Sequence, residues 1–177
     1  MKFAISESSS KSAQIPPDAT GTEFIRTARC HLTKEYLPKF RECLNQLSDE
    51  EVWWRPRETD NSVGNLLLHL CGNMRQWIIC GIGGKAITRD RDLEFSERRK
   101  IPKAELLKTF EDTVLEVDAI LEAFDVSKLI EVRHFQKWDH SCLYAISHVV
   151  EHVGQHMGQV IYITKLRKGV DLKFFDL

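Results

Sequence analysis

Three histidines, His148, His152 and His156, recur at intervals of four in the run SCLYAISHVVEHVGQHMGQVIYITKLRK, residues 141–168. Residues four apart lie above one another on one helix face, with Cβ atoms about 5 to 6 Å apart, so a helix here carries a ridge of imidazoles. Two such rings can offer two nitrogens to one divalent metal, and a further ligand must then come from another element across the core. His69 is the candidate. It lies in NLLLHLCGNMRQWIIC, residues 65–80, where Asn65, His69, Asn73 and Gln76 form a polar stripe on an otherwise apolar segment. Each buried polar group of such a stripe needs a partner, and a satisfied core histidine is the plain alternative for His69 taken alone. Three neutral imidazoles would leave a coordination position open, the donor set of catalytic rather than structural zinc. Such a site acidifies a water or thiol that binds there.

Spacing alone leaves two pairings open, His148 with His152 or His152 with His156. The first spells H-x-x-E-H over His148-Val149-Val150-Glu151-His152, an inverted zinc-peptidase motif with Glu151 as general base. The downstream acids that could complete such a site are Asp171 and Asp176, both at the end of the chain. A metallohydrolase on this motif is therefore the weaker alternative.

The elements that must position these residues read as helices. Residues 1–19, MKFAISESSSKSAQIPPDA, are Ser-rich with Pro16-Pro17, bury too little apolar surface to offset ordering entropy, and are expected to be a flexible leader. The remainder, 20–177, is expected to be one domain. Phe24, Ala28, Leu32, Tyr36, Phe40 and Leu44 recur every four residues, the stripe of a core-facing helix from about Thr22 to Leu47, in which Pro38 should introduce a kink. Ser48-Asp49-Glu50-Glu51 is a capping-box pattern. A second helix starts near Ser62 and runs to about Cys80. Residues 81–101 contain GIGGK, which lacks the spacing of a phosphate loop, and a mixed-sign run from Arg89 to Lys100 that reads as a long solvated connection. After Pro102, Leu107, Phe110, Val114, Val117, Leu121 and Phe124 make an amphipathic third helix. Residues 126–140 predict a crossover or small hairpin. The histidine helix is capped by Ser141 and ends in Lys165, Arg167 and Lys168 before Gly169. Gly154 and Gly158, on the far side from His152 and His156, predict close helix packing. The fold class is all-α, a four-helix bundle with a long connection between helices 2 and 3.

Lys and Arg number 25 against 26 acids, a formal charge of −1, so no basic field is present to hold a nucleic acid. No apolar run approaches the ~18 residues of a membrane span. The scattered cysteines, Cys30, Cys43, Cys71, Cys80 and Cys142, are odd in number and read as reduced thiols of a cytoplasmic protein.

NSVGNLLLHLCGN around His69, together with HVVEHVGQHMGQ in the last helix, resembles the DinB-like superfamily of metal-binding four-helix proteins. That group includes bacillithiol S-transferases and mycothiol-dependent maleylpyruvate isomerase. The resemblance covers nearly everything after the leader. It implies an up-down-down-up bundle, often dimeric, that holds zinc, nickel or another divalent ion. It also implies a metal triad of one His on the second helix and a His-x-x-x-His followed closely by Gly-Gln on the fourth. Gly158-Gln159 follows His156, so the implied triad is His69, His152 and His156. Asn65, Asn73, His148 and Gln159 are the candidates to hold these imidazoles from outside. The activity implied is transfer of a low-molecular-weight thiol, or attack by water, onto a small electrophile. A non-catalytic metal-binding stress protein is the competing class. The resemblance implies a homodimer, and Trp53 and Trp54 are the aromatic surface expected to serve it.

Overall fold

The computed structural model describes residues 18–174. The leader expected over residues 1–19 falls outside the described residues except for Asp18 and Ala19, and Ala19 already opens the first helix. Helix α1 (Ala19–Cys30) continues through a π-helical turn (His31–Tyr36) into α2 (Leu37–Gln46). Pro38 sits in the first turn of α2. Because proline has no N–H to give to the preceding turn, the ladder shifts there, and the Leu37 N–H reaches back to the Leu32 carbonyl. The kink expected at Pro38 therefore takes the form of a π turn just before it.

Helix α3 (Asp49–Val52) is closed by the predicted capping box, with the Ser48 hydroxyl accepting from Glu51 N–H while the Glu51 carboxylate accepts from Ser48 N–H. The second long helix is α4 (Val63–Met74), extended by a π-helical turn over Arg75–Cys80. Its start is also a capping box, in which Ser62 accepts from Asn65 N–H and the Asn65 side chain accepts from Ser62 N–H. A short helix α5 (Arg91–Ser96) interrupts the connection, before α6 (Lys103–Glu122) follows directly on Pro102. A 3-10 turn (Val126–Lys128) leads into an antiparallel hairpin, β1 (Val132–Phe135) and β2 (Trp138–Ser141), with Val132 opposite Ser141. Helix α7 (Cys142–Lys168) begins where β2 ends: the Ser141 hydroxyl accepts from Tyr144 N–H. It stops at Gly169, whose φ of 65° is the left-handed cap that glycine adopts freely.

Contacts between segments distant in sequence give the helix directions. Arg29 forks onto Asp118 at 2.7 and 3.1 Å, and Lys103 N–H donates to Asp49 at 2.6 Å, so α1–α2 and α6 run antiparallel. Lys85 meets Glu116 at 2.5 Å, so the ends of the α4 helix and α6 lie together and the two run parallel. Lys168 returns to Glu51 at 3.0 Å. The result is an up-down-down-up four-helix bundle, and the parallel middle pair is what demands a long connection. Its core includes Phe40 against Phe110, ring centroids 4.5 Å apart and both inaccessible to solvent; truncating such a ring costs about 3–5 kcal/mol.

Two expectations are corrected. Trp53 is 5% exposed, with its indole N–H on the Ile101 carbonyl, and the Arg167 guanidinium lies over the Trp54 ring, so these rings are not a free aromatic surface for a second copy. The packing expected at the two glycines of α7 holds for one only. A Cβ on Gly154 would stand 2.9 Å from the Tyr36 hydroxyl, whereas nothing lies within 4 Å of one on Gly158.

Candidate metal centre

The polar stripe of α4 and the imidazole ridge of α7 face one another. Among the described residues, His69, His152 and His156 form the group able to hold a metal, with one nitrogen from each all within 4.8 Å of one another. His69 Nε2 lies 3.2 Å from His152 Nε2, which lies 3.1 Å from His156 Nε2. The i, i+4 spacing on α7 supplies the His152–His156 pair, and His69 reaches them from α4, where it is 5% exposed.

The far side of each ring decides what the near side can do. His69 Nδ1 sits 2.9 Å from Glu94 Oε2, and His156 Nδ1 sits 2.8 Å from Gln159 Oε1. Both oxygens are acceptors, so each ring carries a hydrogen on Nδ1, and a ring in its neutral form then turns an Nε2 lone pair toward His152. A single hydrogen on His152 Nε2 can serve only one of them. A divalent cation held by His69, His152 and His156 would be served by all three lone pairs, and the 3.2 and 3.1 Å separations bring His69 and His156 close enough to His152 to share one ion. His152 Nδ1 is buried and has no hydrogen-bond partner. Burial, together with the neighbouring His156, His69 and His148, pushes the His152 imidazole down to about 3. Burial likewise lowers His156, against the opposing hydrogen bond to Gln159. These rings are neutral at pH 7, the form that binds metal.

Of the four residues expected to support the ligands, Gln159 is the one in hydrogen-bond contact with a histidine of the cluster. Asn65 does not touch a histidine. Its amide donates to the main-chain carbonyls of Glu94, Phe95 and Glu97 at 2.9–3.3 Å. Asn73 lies 3.4 Å from His148 Nε2, and its own Oδ1 is buried without a partner. His148 stands outside the cluster, stacked on His152 at 5.4 Å and against Trp77 at 4.5 Å. The H-x-x-E-H pairing is not assembled: Glu151 is exposed and accepts from Gln155, Asp171 pairs with Lys165 beyond the end of α7, and Asp176 lies outside the described residues.

Sequence reasoning missed Glu94 and Arg89. The Arg89–Lys100 run, read as wholly solvated, turns two side chains inward. Glu94 is 9% exposed and lies on Arg89 through two bonds, Nε to Oε1 at 2.7 Å and Nη2 to Oε2 at 2.9 Å. Burial raises the Glu94 carboxyl, but the hydrogen bonds from Arg89 and His69 outweigh it and hold the group below its ordinary value. Arg89 also donates to Gln76 and comes within 3.3 Å of His69 Nδ1. One signal for this arrangement was available, Gly72 inside α4. A glycine costs a helix interior about 1 kcal/mol against alanine, and a Cβ there would stand 1.9 Å from Glu94 Oε1.

No curated protein matches the chain. Among solved structures, it is similar to a DinB-like protein from Bacillus cereus ATCC 10987, with a TM-score of 0.64 and 13% identity over 85% of this chain and 94% of that one. It is also similar to a conserved protein from Enterococcus faecalis, with a TM-score of 0.62 and 15% identity over 87% of this chain and 98% of the other. Identities this low speak for the fold alone. A family model described as "Protein of unknown function (DUF1572)" matches residues 19–177. The chain thus belongs to the DUF1572 family and is built on the DinB-like fold.

Proposed function

We propose that this protein binds one divalent ion through His69, His152 and His156 and uses it to activate a small thiol, or a water, for attack on a small electrophile. The observation that carries this reading is the convergence of three imidazoles, with His152 Nε2 3.2 Å from His69 Nε2 and 3.1 Å from His156 Nε2, one nitrogen of each within 4.8 Å of the others, and acceptors behind two of the rings. When bound, such an ion supplies Lewis acidity that lowers the pKa of a thiol or water. The protein's part is to present neutral imidazoles and to keep their orientation. His69 and His152 lie on different helices, so the site also ties α4 to α7.

A cavity of about 410 Å³ between the 56–61 loop, α4 and α7 is bordered by Gln159, on the side of His156 away from the cluster, and by Asn61, Leu66 and Tyr162; none of the three histidines lines it. Zinc and nickel are the ions proposed, a low-molecular-weight thiol is the proposed partner, and a homodimer is the proposed assembly.

Metal analysis of the purified protein tests the site. About one ion per chain is expected, lost or weakened in His69→Ala, His152→Ala and His156→Ala and kept in His148→Ala. Retention in all of the first three would end this reading. Conjugation of a reporter electrophile, with bacillithiol, mycothiol, glutathione and coenzyme A compared, tests the chemistry. A metal-dependent rate with one of them is expected; no rate with any would turn the reading to hydrolysis or to metal binding alone.

A further inference from the structure

The connection between α4 and α6 lies against the cluster along a track of side chains that α4 provides. Asn65 holds the carbonyls of Glu94, Phe95 and Glu97, His69 meets the Glu94 carboxylate and the Phe95 ring at 4.6 Å, and Gln76 receives Arg89. Gly72, between His69 and Gln76, leaves the space that the carboxylate occupies. Asn65, His69 and Gln76 of the polar stripe are therefore a docking track for the 89–97 segment, and His69 faces two ways, Nδ1 to this segment and Nε2 to the cluster.

We infer that Glu94 is a positioning residue for the metal centre, and that docking of the 89–97 segment and metal binding at His69 reinforce one another. This rests on the metal reading above. A carboxylate behind a ligand imidazole fixes its tautomer and ring orientation and strengthens it as a donor; removing such a partner typically weakens metal affinity by about 10–100-fold. Arg89 has a separate task. Its fork onto Glu94 neutralises the carboxylate, and without that carboxylate its guanidinium would be an unpaired, 11% exposed cation beside a metal ligand. The coupling is reciprocal by linkage, so whatever docking adds to metal affinity, metal adds to docking.

The experiment uses Co²⁺ as the probe, titrated by its visible absorption into the metal-stripped full-length protein. Amide hydrogen exchange over residues 89–97 is followed with and without Co²⁺. Glu94→Ala is expected to bind Co²⁺ about 10–100-fold more weakly than the unsubstituted protein. Glu94→Gln retains a hydrogen-bond acceptor but leaves Arg89 unpaired. The double variant Arg89→Met with Glu94→Gln should bind Co²⁺ more tightly than Glu94→Gln alone, a non-additive recovery that loss of packing at two sites does not produce. Co²⁺ should slow exchange over 89–97 in the unsubstituted protein and less so in Glu94→Ala. Circular dichroism establishes that each variant is folded, and the double variant, which removes the buried pair as a unit, serves if Glu94→Ala is not. Unchanged affinity in Glu94→Ala, additive losses in the double variant, or exchange over 89–97 indifferent to Co²⁺ would each overturn the inference while leaving the triad intact. Failure of the unsubstituted protein to bind Co²⁺ overturns both.

Discussion

Replacing Gly72 by alanine should destabilise the metal-free protein, although the same change in an open helix interior stabilises one. The added Cβ would lie 1.9 Å from Glu94 Oε1 and 2.8 Å from Arg89 Nε, where real Cβ atoms essentially never come closer than 3.0 Å. The carboxylate oxygen must therefore retreat by about 1 Å, and its 2.7 Å bond from Arg89 Nε cannot survive that movement. A hydrogen bond to a charged group contributes about 1.5–3 kcal/mol, against a gain of about 1 kcal/mol from alanine over glycine in a helix. The net loss is about 1 kcal/mol, or roughly 2–4 °C in Tm for a domain of this size. Gly158→Ala is the matched control. It lies in the interior of α7 with nothing within 4 Å of its added Cβ, so it should raise Tm by roughly 2–4 °C. Thermal and urea unfolding followed by circular dichroism measure both. If Gly72→Ala stabilises as much as Gly158→Ala, the close packing of Glu94 on α4 is wrong, and with it the reasoning that α4 is cut away to admit a carboxylate.

Two further predictions follow from burial. Cys43, Cys71 and Cys142 are buried, and burial pushes the thiols of Cys43 and Cys71 up to about 11. At pH 8 a thiol reagent should label only the partly exposed Cys30 and Cys80 quickly and reach all five after unfolding; mass mapping that finds Cys43 or Cys71 modified in the folded protein contradicts this. In the metal-free protein His152 is held down to about 3, and His148 and His156 are also lowered, chiefly by burial. In the unfolded chain these imidazoles return to about 6.5. Between that value and about 3 the unfolded state binds more protons, so stability is complete above pH 6.5 and falls as pH drops through this window. The urea midpoint of the stripped protein should be lower at pH 5 than at pH 7.5, and an unchanged midpoint refutes the expectation.

The long helices were legible because each must bury a continuous stripe, and the period of Phe24 to Leu44, or of Leu107 to Phe124, betrays a helix without reference to anything distant. Caps are local too, and Ser48, Ser141 and Gly169 announced themselves by residue type, as the capping bonds and the left-handed glycine bear out. The convergence of His152 with His156 follows from helix geometry. Choosing that pair over His148 with His152 did not follow from spacing; it came from the family resemblance, and the structure groups the same pair with His69. Glu94 was hidden for a physical reason. In α5 the charged Glu94 is buried while the adjacent Leu93 is 64% exposed, the reverse of what hydropathy predicts. A carboxylate turns inward there only because Arg89 and His69 wait for it, and His69 is 25 residues away in the chain. Gly158 failed in the other direction: a glycine costs a helix the same whether or not a neighbour needs the room, so composition alone could not separate it from Gly154.

Ser141 has a place in the chain that bears on how this family can vary in length. It is at once the last residue of β2 and the N-cap of α7, so the hairpin sets the starting azimuth of the helix that carries His152 and His156. Each residue of an α-helix turns the chain by about 100° and advances it by about 1.5 Å. Insertion or loss of one residue between Ser141 and His152 would swing both imidazoles away from His69, whereas the same change in the turn at Gln136 and Lys137, ahead of that starting point, would leave their bearing untouched. Length variation among family members should therefore be absorbed at the hairpin tip and excluded from the first three turns of α7.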